Sequence, residues 1–264
     1  MRFLIVYNAI KIARVLFLMV LLLMVPSHFA IAQDNSLVTE TEKAKIQNED
    51  FKKGVSAILD DKVMTAIFFF EKAANTGLPI AMYWAGSCYE EIDDYQKAYQ
   101  WYLKGANKGN SFAQNSLGSS YFYGKGVSKN MQKAIMWWTK AAEKGNGDAQ
   151  CHLGYCYATG TGVSINPQKA IMWSSMAAEQ GNEEAQYNLG ELYYWGDVVK
   201  KDIQKAVVWY IKAAKQGVTD AQFRLGELYY DGEGVTKDYK EAKYWMQKAA
   251  MNGHTNAEEW LRTH

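Results

Sequence analysis

The feature that most constrains this chain is a period. Ala113, Ala149, Ala185, Ala221 and Ala257 stand 36 residues apart, and so do Leu117, Leu153, Leu189, Leu225 and Leu261. Gly118, Gly154, Gly190 and Gly226 follow in step, as do Trp101, Trp137, Trp173, Trp209 and Trp245. Gly109, Gly145, Gly181, Gly217 and Gly253 close each unit. A fixed period of this length means a stack of similar supersecondary units, each too small to bury its own apolar face alone.

Within a unit, Ala, Leu, Gly and Tyr take relative positions 0, 4, 5 and 8, as in Ala113, Leu117, Gly118 and Tyr121. At helical periodicity these four share one broad face. Gly124-Lys125-Gly126-Val127 then breaks the helix, because paired glycines reach conformations that end a helix and turn the chain. A second helix follows from Gln132 to Ala142, and Gly145 is suited to its C-terminal cap. Each unit therefore reads as a helical hairpin. Abundant Ala, Met, Lys and Glu with only 3 Pro agree, since these residues lose little freedom in a helix.

Residues 1–32 read differently. Arg2, Lys11 and Arg14 precede an uncharged apolar run, Val15–Val25, followed by Pro26 and the small-residue site Ala30-Ile31-Ala32. This is the pattern of a cleaved export signal, with Gln33 as the mature N-terminus. An uncleaved anchor is the competing reading, because the 18 uncharged residues Val15–Ala32 approach the ~20 that span a bilayer. Removing residues 1–32 takes away 3 of the 29 basic residues and leaves 26 against 28 acidic ones. With no basic excess to face a phosphate backbone, nucleic acid is not an expected partner. The membrane is expected to be met only through the signal segment before cleavage.

The pattern Ala-Gln-x-x-Leu-Gly-x-x-Tyr-x-x-Gly-x-Gly-Val, then Lys-Ala-x-x-Trp and Lys-Ala-Ala-x-x-Gly, resembles the Sel1-like repeat (SLR) family, a branch of the tetratricopeptide-like α-solenoids. It is carried well by Asp220–Tyr229, Gly232-Glu233-Gly234-Val235, Trp245 and Lys248-Ala249-Ala250. The resemblance covers residues 42–264 and implies an all-α, right-handed α-α superhelical solenoid of stacked helical hairpins. After a flexible segment 33–41, a degenerate unit spans 42–77, a short unit 78–109, full units 110–146, 147–181, 182–217 and 218–253, and a capping helix 254–264. Val198 departs from the pattern where the second loop glycine is expected, so the bend after Gly196 is expected to differ.

Candidate chemistry is sparse. Cys151 and Cys156 sit five apart on one predicted helix, with Cα atoms roughly 8 Å apart, too far to bridge. Cysteine-rich members of the family link the two helices of a hairpin; this chain lacks that pairing, and its cysteines are expected to be unpaired packing residues. His152, His254 and His264 offer no converging ligand set for zinc. Gly124-Lys125-Gly126 lacks the ending of a phosphate loop. No nucleophile and base stand at a convincing spacing. The chain is thus expected to be no enzyme and to carry no cofactor. A β-lactamase-like hydrolase, a label attached to some cysteine-rich relatives, is the alternative.

The core face of each first helix leaves positions −1, 2, 6 and 9 on the opposite side, which the resemblance implies lines the concave groove. A merely solvated face would be charged throughout. Instead it carries Tyr83, Phe112, Phe122 and Tyr155, then Glu184, Tyr187, Glu191 and Tyr194, then Asp220, Phe223, Glu227 and Tyr230. Exposed rings on a noncore face point to binding, unless neighbouring helices cover them. The expected partner is another protein or a peptide offering basic and apolar side chains, bound by an exported scaffold in envelope signalling, assembly or host contact.

Overall fold

The computed structural model describes Ala44 and residues 48–264; the export segment and the stretch to residue 41 lie outside the described residues. Thirteen helices follow one another, with no strand among the described residues. They are α1 Glu49–Leu59, α2 Val63–Asn75, α3 Pro79–Glu91, α4 Tyr95–Asn107, α5 Ser111–Tyr123 and α6 Met131–Ala142 in a first compact unit ending at Asn146. The second unit, from Gly147, holds α7 Gly147–Thr159, α8 Pro167–Glu179, α9 Glu183–Trp195, α10 Ile203–Lys215, α11 Thr219–Asp231, α12 Tyr239–Met251 and α13 Thr255–Thr263. Within each unit, consecutive helices pack on one another, so the fold is an all-α solenoid of stacked hairpins. No helix of the described residues is long and apolar enough to cross a membrane.

The helices begin and end where side chains satisfy their free backbone groups. Asn110, Asn130, Asn166, Asn182, Asp202 and Asp238 each accept a hydrogen bond from a backbone N–H in the first turn that follows. At the other end, Gly124, Gly196 and Gly232 take left-handed φ values of 77°, 73° and 75°, which a side chain would resist.

Repeat positions 0 and 4 form the deepest layer: Ala113, Leu117, Ala149, Leu153, Ala185, Leu189, Ala221 and Leu225 are all fully buried. The glycine at position 5 lets a large side chain from the hairpin's second helix lie across the first. A Cβ at Gly118 would stand 2.5 Å from Trp138 Cδ1, one at Gly190 2.5 Å from Tyr210 Cδ1, and one at Gly226 2.8 Å from Met246 Cγ. The tryptophan column is core at Trp101, Trp137 and Trp245 and partly buried at Trp173 and Trp209. Lys104, Lys140 and Lys212 hold their ammonium groups 3.9, 4.3 and 3.9 Å from the ring centres of Trp101, Trp137 and Trp209, a cation–π cover at the rim of the core.

The glutamine after each repeat alanine joins hairpins. Gln186 Nε2 donates to the Ala178 carbonyl at 3.1 Å, and its Oε1 accepts from Gln216 Nε2 at 2.9 Å. Gln222 repeats the pair with Ala214 at 3.1 Å and Asn252 at 2.9 Å. Gln114 donates to Ala106 in the first unit at 3.1 Å. The buried amides of Gln186 and Gln222 thus each bond the preceding hairpin and the end of their own.

Candidate functional site

The noncore face of the first helices is not uniformly open. In the first unit Phe112 is buried, only 7% exposed, which corrects the expectation of an open ring there. Tyr83 of the preceding hairpin covers it at 5.6 Å between ring centres and also lies against Trp84 and Tyr102. Phe122 is half-buried against Trp138 at 5.3 Å. These three rings serve packing more than display.

The second unit keeps the richer face. Tyr155 on α7 is 47% exposed and Trp195 at the end of α9 is 54% exposed. Tyr187, Tyr194, Phe223 and Tyr230 are half-buried. Tyr187 lies 5.9 Å from the Tyr210 ring, Phe223 stacks on His254 at 4.1 Å, and Tyr230 stands edge-on to Trp260 at 5.4 Å. The capping helix α13 therefore takes part of the last hairpin's face for itself.

The carboxylates divide into two kinds. Glu191 is saturated: Oε1 accepts from the Tyr210 hydroxyl at 2.6 Å and from Arg224 Nε at 3.3 Å, and Oε2 accepts from Trp195 Nε1 at 3.0 Å. Glu227 accepts from Arg224 at 3.1 Å. Burial disfavours the Arg224 charge, but Glu191 and then Glu227 outweigh it and raise its pKa further. Burial, then the bond to Glu191, lifts the Tyr210 phenol well above its usual range; burial, then the charge of Glu191, lifts Tyr187 to about 12. Glu184 is exposed and Asp220 holds a 66% exposed side chain. Partial burial and then the charges of Asp148 and Glu183 raise the Glu184 pKa, so a cation arriving there would relieve repulsion.

Position 3 of the first helix also joins this face and was not singled out by the sequence reading. It holds Asn188 and Arg224, and Arg224 lies over the rings of Tyr194 and Trp195 at 5.7 and 5.5 Å. The signal was available in the sequence: an arginine one residue before the core leucine is out of place unless it has partners. Beside them a cavity of about 240 Å³ opens among α7, α8, α9 and the bend after Gly196.

Cys88, Cys151 and Cys156 are all buried. Burial raises the pKa of Cys151 above its usual range and that of Cys156 to about 11, so neither is a thiolate at neutral pH. Among the described residues no group of three His, Cys, Asp or Glu side chains could hold a metal ion.

Hairpins of this length, joined through buried glutamines and presenting rings on the first-helix face, define a repeat solenoid of the tetratricopeptide-like class. The Sel1 repeat is matched at residues 60–78, 79–110, 111–146, 147–182, 183–218 and 219–254, and the chain belongs to that family. A Sel1 repeat protein from Oxalobacter formigenes is 39% identical, with a TM-score of 0.73 over 78% of this chain and 86% of its own. A protective antigen of uropathogenic Escherichia coli with an SLR fold is 31% identical, with a TM-score of 0.71 over 84% of this chain and 48% of its own. A putative Sel1 repeat protein from Klebsiella pneumoniae, 21% identical with a TM-score of 0.52 over 73% of this chain and 96% of its own, shares the fold. No curated protein matches this chain. Sel1 repeat proteins generally mediate protein–protein interaction.

Proposed function

We propose that this chain is an exported scaffold that binds another protein or a peptide along the first-helix face of residues 147–264. The observation that carries this reading is the display of Tyr155 and Trp195, half open to solvent beside Tyr194, on a face the core does not use. Rigid rings of this kind supply contact area at low entropic cost and recur as binding hot spots. Export rests on the basic, apolar and small-residue order of residues 1–32. Arg224 pairs with both Glu191 and Glu227 and leaves one net negative charge between them, so Glu184 and Asp220 carry most of the selection for basic groups on the partner. The ligand is then a mainly apolar segment with Lys or Arg opposite these two positions. Its carboxylate partners chiefly set orientation and encounter rate.

The test begins with cross-linking and pull-down from the envelope or secreted fraction. Binding of the recovered partner is then compared for Tyr155→Ala, Tyr194→Ala and Trp195→Ala, with Met172→Ala and Val208→Ala on the exposed second-helix surface as controls. Each ring variant is expected to weaken binding by about 1 kcal/mol or more with the helical signal intact. Normal binding by all three, with loss in the second-helix variants, moves the site to the outer surface and overturns the reading.

A further inference from the structure

Three departures from the repeat converge on one place. In the column that carries Tyr102, Trp138, Tyr210 and Met246, the hairpin α7–α8 has Ser174. The other members lie across the glycine of their own first helix; Ser174 lies against Gly154 with only a hydroxymethyl group. The second departure is at position 9, where Phe122, Tyr194 and Tyr230 have Ala158 as their counterpart. In the hairpin α5–α6, Phe122 and Trp138 pack on each other at 5.3 Å, so the pair Ala158 and Ser174 is a ring layer with both rings deleted.

The third departure is Val198. Gly126 and Gly234, with φ of 69° and 73°, bring their loops hard against Tyr95 and Ile203 of the preceding hairpin's second helix. Val198 has no such freedom, and outside glycine only Asp61 and Asp93 among the described residues take left-handed φ. The bend therefore differs from its counterparts, as the sequence led us to expect, and Val198 becomes part of a cavity wall. That cavity, about 240 Å³, is lined by Ala158, Ser174 and Val198 together, with Tyr155 and Trp195, both solvent-exposed, and Asn188 and Glu191 as polar wall groups.

This half-open recess forgoes side-chain packing that the other hairpins keep, and three separate positions shape it. Its volume falls just under the roughly 300 Å³ at which clefts for whole small molecules begin, which suits one side chain. Two of its wall residues, Ala158 and Ser174, hold the repeat positions at which the hairpin α5–α6 carries the rings of Phe122 and Trp138. We propose that this cavity is an anchor pocket for a tyrosine or tryptophan side chain of the protein partner, which enters beside Tyr155 and Trp195 and completes the missing layer. The inference rests on the protein-binding reading and names the residue by which the partner is held. Glu191 in the wall is already held by Tyr210, Arg224 and Trp195, so the arriving ring is gripped by contact with Tyr155, Ala158 and Leu192 rather than by a bond to this carboxylate.

The test fills the pocket from within. Ser174→Tyr restores the side chain its neighbours carry, and Ala158→Phe does so independently; both are expected to keep or raise the thermal midpoint. N-acetyl-L-tryptophanamide and N-acetyl-L-tyrosinamide are titrated into the purified chain and followed by amide NMR shifts, with N-acetyl-L-leucinamide as the control. Saturable shifts at Gly154, Tyr155 and Asn188 are expected for the two aromatic probes, at least fivefold weaker for the leucine probe and absent in both filled variants. No saturable shift in the wild type, or the same shift in filled variants that fold, overturns the pocket. Partner binding is read in parallel and is expected to fall at least tenfold in Ser174→Tyr. If the amides bind but the partner ignores Ser174→Tyr, the pocket serves a free aromatic molecule and the proposal falls. If Trp195→Ala weakens the partner while Ser174→Tyr does not, the groove stands and only the anchor is lost. Loss confined to the second-helix variants removes both.

Discussion

Arg224 reaches back from α11 to Glu191 on α9, its Nε 3.3 Å from the carboxylate, and so ties two successive first helices together across the face proposed to bind. Both side chains are about a quarter exposed, at 27% and 24%. Removing the arginine leaves Glu191 with its phenol and indole donors but without a countercharge. Arg224→Gln is expected to cost about 1–2 kcal/mol, below the 3–5 typical of a fully buried pair because water screens this one. Urea unfolding measures it, and Glu191→Gln in the same chain should recover part of the loss. Equal stability of Arg224→Gln and wild type would show that the pair is only decorative.

The buried amide of Gln186 is a second site where a single substitution should tell. Gln186→Leu removes the side-chain bonds to the Ala178 carbonyl and from the Gln216 amide, which keep the Gly181 N–H and the Gly181 carbonyl as their other partners, and is expected to cost about 1–2 kcal/mol. Gln204→Leu, on the exposed side of α10, should stay within about 0.5 kcal/mol. Denaturant midpoints at constant m-value make the comparison.

At the repeat's tightest point, Leu189→Ala is expected to lose about 2–5 kcal/mol, since Leu189 is fully buried. Gly190→Ala adds one methyl group 2.5 Å from Tyr210 Cδ1, and overpacking of that kind costs about 1–3 kcal/mol. Thermal melts of both variants check the register of the hairpin α9–α10. A melt unchanged in either would mean that Tyr210 can swing aside, and near-UV circular dichroism would show it.

His152 supplies the pH dependence. Desolvation holds its folded pKa down to about 4, against an ordinary value near 6.5. The unfolded chain therefore binds more protons than the folded one between these values. Stability should be greatest above about pH 6.5 and fall as the pH drops toward about 4, where folded His152 itself takes the proton. The expected loss is on the order of 1–3 kcal/mol over that window. His152→Gln should flatten the curve there, as unfolding at half-unit pH steps would show.

The hairpins and their contact face were legible because the tightest positions tolerate the fewest side chains: Ala113, Leu117 and Gly118 recur for steric reasons. The open face was legible only in part. Phe112 occupies a position that a single helix leaves free, and what buries it is Tyr83 from the hairpin before, a contact set by stacking geometry that helical periodicity does not encode. Arg224 escaped because its position holds Ser116, His152 and Asn188 in the other units, and no shared chemistry marks the column. Ser174 was visible as a gap in a row of large side chains, yet its meaning required knowing that those side chains lie over Gly118, Gly190 and Gly226.

The glutamine bonds make the hairpins interchangeable. Gln186 meets Ala178 and Gln222 meets Ala214 through the same donor at the same 3.1 Å. Excising residues 183–218 would bring Gln222 to Ala178 with the same glutamine-to-carbonyl bond as before, although the tie from Arg224 to Glu191 would go. Recombination between repeats in the coding sequence can therefore lengthen or shorten this protein without inventing a new interface, provided it moves 36 codons at a time. Reach can then change by a whole hairpin at a time while this bond between hairpins is kept.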